Sequence, residues 1–212
     1  MRVVSTNIGE PVTISWRGKE VKTGIYKYPV EKPIFLGKED VENDHVVDRR
    51  VHGGVDKACY LYGVENYSYW KEKYPQLDWD FGMFGENLTI EGFSENQVKI
   101  GSIYKLGTAL VQISRPRQPC YKLGVRFENP TIIKQFIDSK LSGVYVRVLE
   151  PGLVSTNDTM ILEKEHVNGI TITELNTLLF HFDEKLHTDL LEKAIQDTLV
   201  SDDDKKYFAK KK

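Results

Sequence analysis

From Val3 to about Glu165 the chain keeps producing short runs of β-favouring residues and then breaking them with Gly, Pro or Asn. That rhythm constrains the fold more than any other feature. Strand-length apolar runs bounded by turn residues at roughly 8- to 12-residue spacing are the pattern of barrels and sandwiches. The clearest unit is Pro11-Val12-Thr13-Ile14-Ser15-Trp16, then Arg17-Gly18-Lys19, then Glu20-Val21-Lys22-Thr23-Gly24-Ile25-Tyr26, which predicts a hairpin turning on a glycine. Further runs lie at 58–62, 86–90, 102–106, 109–114, 143–149 and 159–164. Two helical stretches interrupt them: 64–73, with aromatics at Tyr67, Tyr69 and Trp70, and 131–140, with Ile132, Ile133, Phe136 and Ile137 at helical spacing.

After His166 the texture changes. Thr171-Ile172-Thr173-Glu174 has the spacing of a capping box ahead of Leu175, Leu178 and Leu179. Thr188 precedes Leu190, Leu191, Ala194 and Ile195, and Ser201-Asp202-Asp203-Asp204 precedes Tyr207 and Phe208. Helices this short do not stand alone in water, so they must pack on one another or on the strands. The expected architecture is α+β and mainly β: a barrel over residues 1–165 with peripheral helices, then a three-helix extension over 166–212. Nothing in the extension carries chemistry, which leaves it a structural appendage or a partner-docking element.

At 212 residues an ordinary core forms without disulfide staples. Lys and Arg number 29 against 31 Asp and Glu, a net charge of −2, which argues against a binder of duplex nucleic acid. No run reaches the roughly 18 apolar residues of a membrane span, and the start lacks the apolar region of a signal peptide. The expectation is a cytoplasmic protein with no membrane contact. Its two cysteines, Cys59 and Cys120, belong to no Cys-x-x-Cys pair and are expected as thiols.

Two segments depart from this pattern. In Asp48-Arg49-Arg50-Val51-His52-Gly53-Gly54-Val55-Asp56-Lys57 a glycine pair allows close backbone approach, with Arg, His and Lys around it. This suits an anion, although the same pair also suits a plain turn with solvated charges. The second segment, Ser114-Arg115-Pro116-Arg117-Gln118-Pro119-Cys120-Tyr121-Lys122-Leu123-Gly124-Val125-Arg126, holds four cations and no acid. Positive charge favours the thiolate of Cys120, the form that attacks electrophiles and binds soft metals. The prolines pin that cysteine in a loop and weigh against its being a mere small hydrophobe. Cys59, inside Ala58-Cys59-Tyr60-Leu61-Tyr62, reads as core. A Cys120 and His52 nucleophile–base pair requires a fold that joins residues 68 positions apart. The phosphate-loop, dinucleotide, hydrolase-elbow and zincin motifs do not occur.

Taken in order, Asp48-Arg49-Arg50-Val51-His52-Gly53-Gly54, then Phe84-Gly85-Glu86-Asn87-Leu88, then Val98-Lys99-Ile100-Gly101, then Arg115-Pro116-Arg117-Gln118-Pro119-Cys120-Tyr121-Lys122-Leu123-Gly124, resemble the MOSC domain family. That family is named for the C-terminal domain of molybdenum cofactor sulfurases, and the chain is similar within it to the bacterial YiiM-like proteins. The resemblance implies a β-barrel that binds the molybdenum cofactor, a pterin dithiolene carrying molybdenum and a phosphate, with Cys120 as the protein ligand to the metal. It implies cofactor contacts from Arg49, His52, Gly53, Gly54, Lys57, Arg115 and Arg117, and catalytic roles for Cys120 and His52. The implied reaction is reduction of small N-hydroxylated bases such as 6-hydroxylaminopurine to amines. No ferredoxin or flavin fingerprint is present, so an external redox protein is the expected electron donor. Arg126, Tyr121 and Phe84 are candidates for a rim that stacks on a purine. Two other readings stay open: a non-catalytic cofactor or sulfur carrier using Cys120, and a cysteine persulfide relay. A Cys59 facing the site would make a two-thiol centre instead.

Overall fold

A computed structural model of the chain describes residues 1–47 and 53–211. Its frame is a mixed sheet of eight strands, in the order β12-β8-β9-β10-β6-β7-β1-β4. These are β1 (Arg2–Ile8), β4 (Tyr28–Pro29), β6 (Cys59–Gly63), β7 (Leu88–Glu91), β8 (Ile103–Leu106), β9 (Ala109–Pro116), β10 (Val144–Glu150) and β12 (Met160–Lys164). Each of the six runs beyond the hairpin begins and ends within two residues of a strand of this sheet. The hairpin forms as a separate pair, β2 (Val12–Trp16) with β3 (Lys19–Thr23). Arg17 and Gly18 take φ of 50° and 74°, the left-handed pair that a tight two-residue turn requires. A third small sheet, β5 (Ile34–Leu36) with β11 (Gly152–Val154), has no counterpart among the expected runs.

The expected closed barrel is not what forms: the sheet stays open. Edge strand β12 and strand β1 meet at a single bridge, Arg2 with Thr159, beside the bonds Val3 N–H to Asp158 O and Met160 N–H to Met1 O, each 2.9 Å. A turn lies on the Val3 side of this bridge. Asn157 has φ of 74°, and Asp158 Oδ2 accepts the Ser155 N–H at 2.7 Å, so the chain bends sharply just before β12 begins.

Strand β6 is buried along its whole length because its two faces serve different cores. Cys59 and Leu61 enter an aliphatic cluster with Val111, Ile113, Val144 and Val146. Tyr60 and Tyr62 enter an aromatic one with Trp70, Phe84, Phe127 and Phe136. Period-two alternation on a central strand therefore separates two chemistries. Between the parallel strands β6 and β7 the chain crosses over through helix α1 (Asn66–Lys73). Helices α2 (Tyr121–Arg126) and α3 (Ile132–Ser139) pack on the aromatic side, through Leu123, Ile132 and Phe136.

Three helices close the chain: α4 (Ile172–Phe180), α5 (Glu184–Gln196) and α6 (Asp202–Phe208). The capping box at Thr171 forms in both directions, Glu174 N–H to Thr171 Oγ1 at 3.1 Å and Thr171 N–H to Glu174 Oε2 at 2.7 Å. Ser201 caps α6 as its spacing predicted. Helix α5 starts at Glu184 behind an Asp183 cap rather than near Thr188. Leu175, Leu178, Leu191, Ala194 and Phe208 share the aliphatic cluster of the sheet. Burying side chains of this kind contributes about 1.5–3 kcal/mol each, which is what holds such short helices in place. Among the described residues no helix is long and apolar enough to cross a membrane.

Candidate functional site

Strand β9 ends at Pro116, whose Cα partner Val144 is the last rung of its ladder with β10. A proline has no N–H to extend that ladder, so the chain leaves the sheet at Arg117. Cys120 follows in extended conformation, φ −125° and ψ 168°, and its carbonyl accepts the Leu123 N–H at 2.9 Å as α2 begins. Its thiol is half-buried on the wall of a cleft enclosing about 630 Å³, part of it continuous with solvent. Arg117, Lys122, Lys57, Tyr60 and Tyr145 also line that cleft.

The expected site residues divide. Cys120, Arg117 and Lys57 come together on the cleft. Gly53 and Gly54 lead into the single turn Val55–Lys57 that carries Lys57, with Gly54 at φ 98°. Arg115 goes elsewhere: its Nη2 donates to Asp204 Oδ1 at 2.7 Å, a buried ion pair with helix α6. Arg49 and His52 lie outside the described residues. Cys59 packs in the aliphatic core, where burial pushes its thiol far up, so Cys59 and Cys120 build no two-thiol centre.

The cleft is cationic and its cations differ. Arg117 is 7% exposed, its guanidinium lying over the Tyr60 ring at 4.9 Å from the centroid. Among the described residues its buried Nη1 has no hydrogen-bond partner. Burial opposes the charge of Arg117, but Tyr60, Tyr145 and Cys120 together favour it, and the group is held protonated above the usual arginine range. Lys57 goes the other way: burial first, then the charge of Arg115, makes its ammonium a stronger acid than an ordinary lysine, against the pull of Asp204, Asp203 and Asp56. Lys122 is buried on α2 and has no ion-pair partner among the described residues. At the cleft floor Lys27 pairs with Asp44, which also accepts Asn87 Nδ2 at 2.9 Å and the Gly9 N–H at 3.1 Å.

The proposed stacking rim does not form from Phe84 and Arg126. Phe84 is fully buried, stacked on Tyr62 with centroids 4.3 Å apart. Arg126 is a clamp: it donates to the carbonyls of Ile25 and Lys27 and lies over the rings of Tyr26 and Tyr28. Tyr121 stacks on Trp16 at the end of the β2–β3 hairpin, centroids 4.8 Å apart. Sequence reasoning missed Lys122, Tyr60 and Tyr145 as lining residues. The available signal was the alternation within two strand runs, since Tyr60 and Tyr145 are cross-strand partners with ring centroids 5.1 Å apart.

The donor set fits the cofactor that the resemblance implies. A phosphate-bearing anion needs cationic donors, and a buried guanidinium nitrogen without a partner is the clearest such group in the cleft. A metal that brings its own dithiolene sulfurs needs few protein ligands. Among the described residues no group of three or more His, Cys, Asp or Glu stands together to hold a bare ion, while Cys120 lines the cleft half-buried.

The sequence profile of the MOSC domain matches residues 48–161, more than half of the chain. The chain belongs to the MOSC domain family. It is 34% identical to protein YiiM of Escherichia coli over 176 residues, 81% of this chain and 78% of that one. A protein of Gibberella moniliformis named "Reductase" is 37% identical over 148 residues, 68% of this chain but 26% of its own length. The crystal structure of YiiM from Geobacillus stearothermophilus superimposes with a TM-score of 0.81 at 32% identity, covering 99% of this chain and 97% of the other. The chain is thus a YiiM-like MOSC protein, with an open mixed sheet and, among the described residues, six α-helices.

Proposed function

We propose that this chain is an oxidoreductase that binds the molybdenum cofactor in the Cys120 cleft and reduces small N-hydroxylated bases to amines. The observation that carries the reading is one cleft lined by both a half-buried thiol and a buried guanidinium whose Nη1 has no partner among the described residues. When bound, the cofactor supplies the two-electron redox centre. Cys120 Sγ is the soft donor for its metal, and Arg117, Lys122 and Lys57 are the cations for its anionic end, with Arg49, His52, Gly53 and Gly54 on the preceding segment. Arg115 acts on this set through Lys57 rather than by contact. The overall conversion takes up two electrons and two protons, releasing amine and water. Lys57 Nζ is suited to give a proton, because its ammonium is destabilised where it lines the cleft. The electrons come from a separate redox protein, and the substrate is small. The family membership and the reductase relative support this reading.

The test begins with metal and pterin analysis of freshly isolated protein, followed by anaerobic turnover of 6-hydroxylaminopurine with an artificial donor. Stoichiometric molybdenum with amine production is expected. Cys120→Ser, which replaces a soft thiolate by a hard hydroxyl, should lose both while keeping the native circular dichroism. Loaded protein inert towards every N-hydroxylated compound would make it a cofactor carrier, and sulfur bound on Cys120 without molybdenum would make it a persulfide relay.

A further inference from the structure

Arg117 is built into the cleft in an unusual way. One face of its guanidinium rests on the Tyr60 ring, 4.9 Å from the centroid. That ring is itself fixed, because Tyr60 Oη donates to the Ser142 carbonyl at 2.9 Å and Tyr60 is 2% exposed. Cross-strand pairing with Tyr145 flanks it on the neighbouring strand. Beside Nη1 stands Gly85, at φ 75°. A Cβ there would sit 3.6 Å from Arg117 Nη1 and 3.0 Å from Ile25 Cγ1. A side chain at 85 would therefore crowd Ile25 and stand in contact with a buried guanidinium nitrogen that has no partner among the described residues. A buried cationic donor left bare is costly unless a ligand occupies it.

We propose that Tyr60 and Gly85 are positioning residues that make Arg117 a preorganised receptor for a phosphate monoester. Tyr60 holds the guanidinium on its ring face, and Gly85 keeps a side chain away from Nη1. The inference rests on the reading of the cleft as an anion-binding site and adds two residues that act through Arg117. A planar guanidinium held at one face by an aromatic ring keeps its edge for the ligand. The phosphate belongs either to the cofactor or to a nucleotide form of the substrate, and both present the same oxyanion.

The full chain, isolated from cells that make no pterin cofactor, is titrated with inorganic pyrophosphate by calorimetry. Binding is expected, absent in Arg117→Ala and about tenfold weaker in Tyr60→Leu, whereas Tyr60→Phe keeps the ring and stays within about threefold. Because Tyr60→Leu also empties a core position, the unmutated protein gives a second reading. Phenylglyoxal should modify Arg117, mapped by mass spectrometry, and pyrophosphate should block it. Tyr60→Leu that binds as tightly as the parent with native circular dichroism overturns the proposal, and so does an Arg117 that pyrophosphate does not protect. Loss of co-purifying pterin from Tyr60→Leu assigns the phosphate to the cofactor. Full pterin with a raised KM for the nucleotide over the free base assigns it to the substrate. Unprotected Arg117 in protein that carries molybdenum and reduces the base would sink this inference and leave the proposed function standing.

Discussion

Arg115 and Asp204 form a buried ion pair that ties the strand carrying the cysteine loop to the last helix of the chain. Asp204 Oδ2 also accepts from Ser201 Oγ at 2.7 Å, and the Asp204 N–H donates back to that hydroxyl, so the carboxylate is held from both ends. Burial pushes the Asp204 carboxyl above its usual range despite Arg115 and Ser201. Removing one charge leaves the other buried without compensation, which costs about 3–5 kcal/mol. Asp204→Asn should therefore lower Tm by on the order of 10 °C in a chain of this size. Differential scanning calorimetry decides it, and a Tm within about 2 °C of the parent would show the pair to be solvated in solution.

The two thiols differ in a way that labelling reads directly. Cys120 is half-buried on the cleft, while Cys59 is sealed in the aliphatic core with its thiol pushed far up by burial. Alkylation requires an accessible thiolate. Iodoacetamide at neutral pH, followed by peptide mass spectrometry, should modify Cys120 and spare Cys59 until the protein is unfolded. Equal labelling of both in native protein would mean that the β6 face opens in solution.

Much of the frame was legible because it rests on local rules. The Arg17-Gly18 turn, the Thr171 capping box and the Ser201 cap are short-range chemistry, and each forms where the residues placed it. The open sheet was not legible, because closure depends on which strand edges meet across 150 residues of chain. The site splits along the same line. Cys120 stands out through its prolines and cations, and the structure puts it on the cleft. Arg115 and Arg117 look equivalent in sequence. The first is taken by a carboxylate 89 positions away and the second by a tyrosine ring on another strand, neither of which local pattern reveals. Phe84 and Arg126 are residue types that suit a stacking rim, but both are buried.

Glu86 sits in the Phe84-Gly85-Glu86-Asn87 motif, yet its work is structural. Its Oε1 accepts from the Tyr67 hydroxyl, the Gly82 N–H at 2.9 Å and Thr89 Oγ1 at 3.0 Å, and its Oε2 accepts the Phe84 N–H at 3.1 Å. The carboxylate thereby fastens the turn that carries Gly82 and Gly85 at positive φ. A glutamine turns one of these acceptors into a donor facing a donor, which costs about 1–3 kcal/mol or more in a fully buried group. Glu86→Gln is expected to lower the urea midpoint with an unchanged m-value. An unaltered midpoint would mean that water replaces the lost acceptor without penalty.

Glu95 gives a prediction with a definite sign. It is buried, and its Oε1 accepts from Asn66 Nδ2 at 3.0 Å and the Gly143 N–H at 2.9 Å. Burial outweighs these bonds and holds its carboxyl above the usual range. A carboxyl whose folded value is raised contributes stability that is complete below the unfolded value of about 4.3 and is lost as pH climbs through the folded value. A glutamine keeps an oxygen for both donors and has no proton to lose. The other carboxyls titrate alike in both proteins and cancel in the difference. Denaturation over pH 4 to 7 should show Glu95→Gln gaining on the parent as pH rises from 4 and levelling off once pH passes the folded value, and a difference that is flat throughout or runs the other way would mean that Glu95 is ionised at little cost inside the fold.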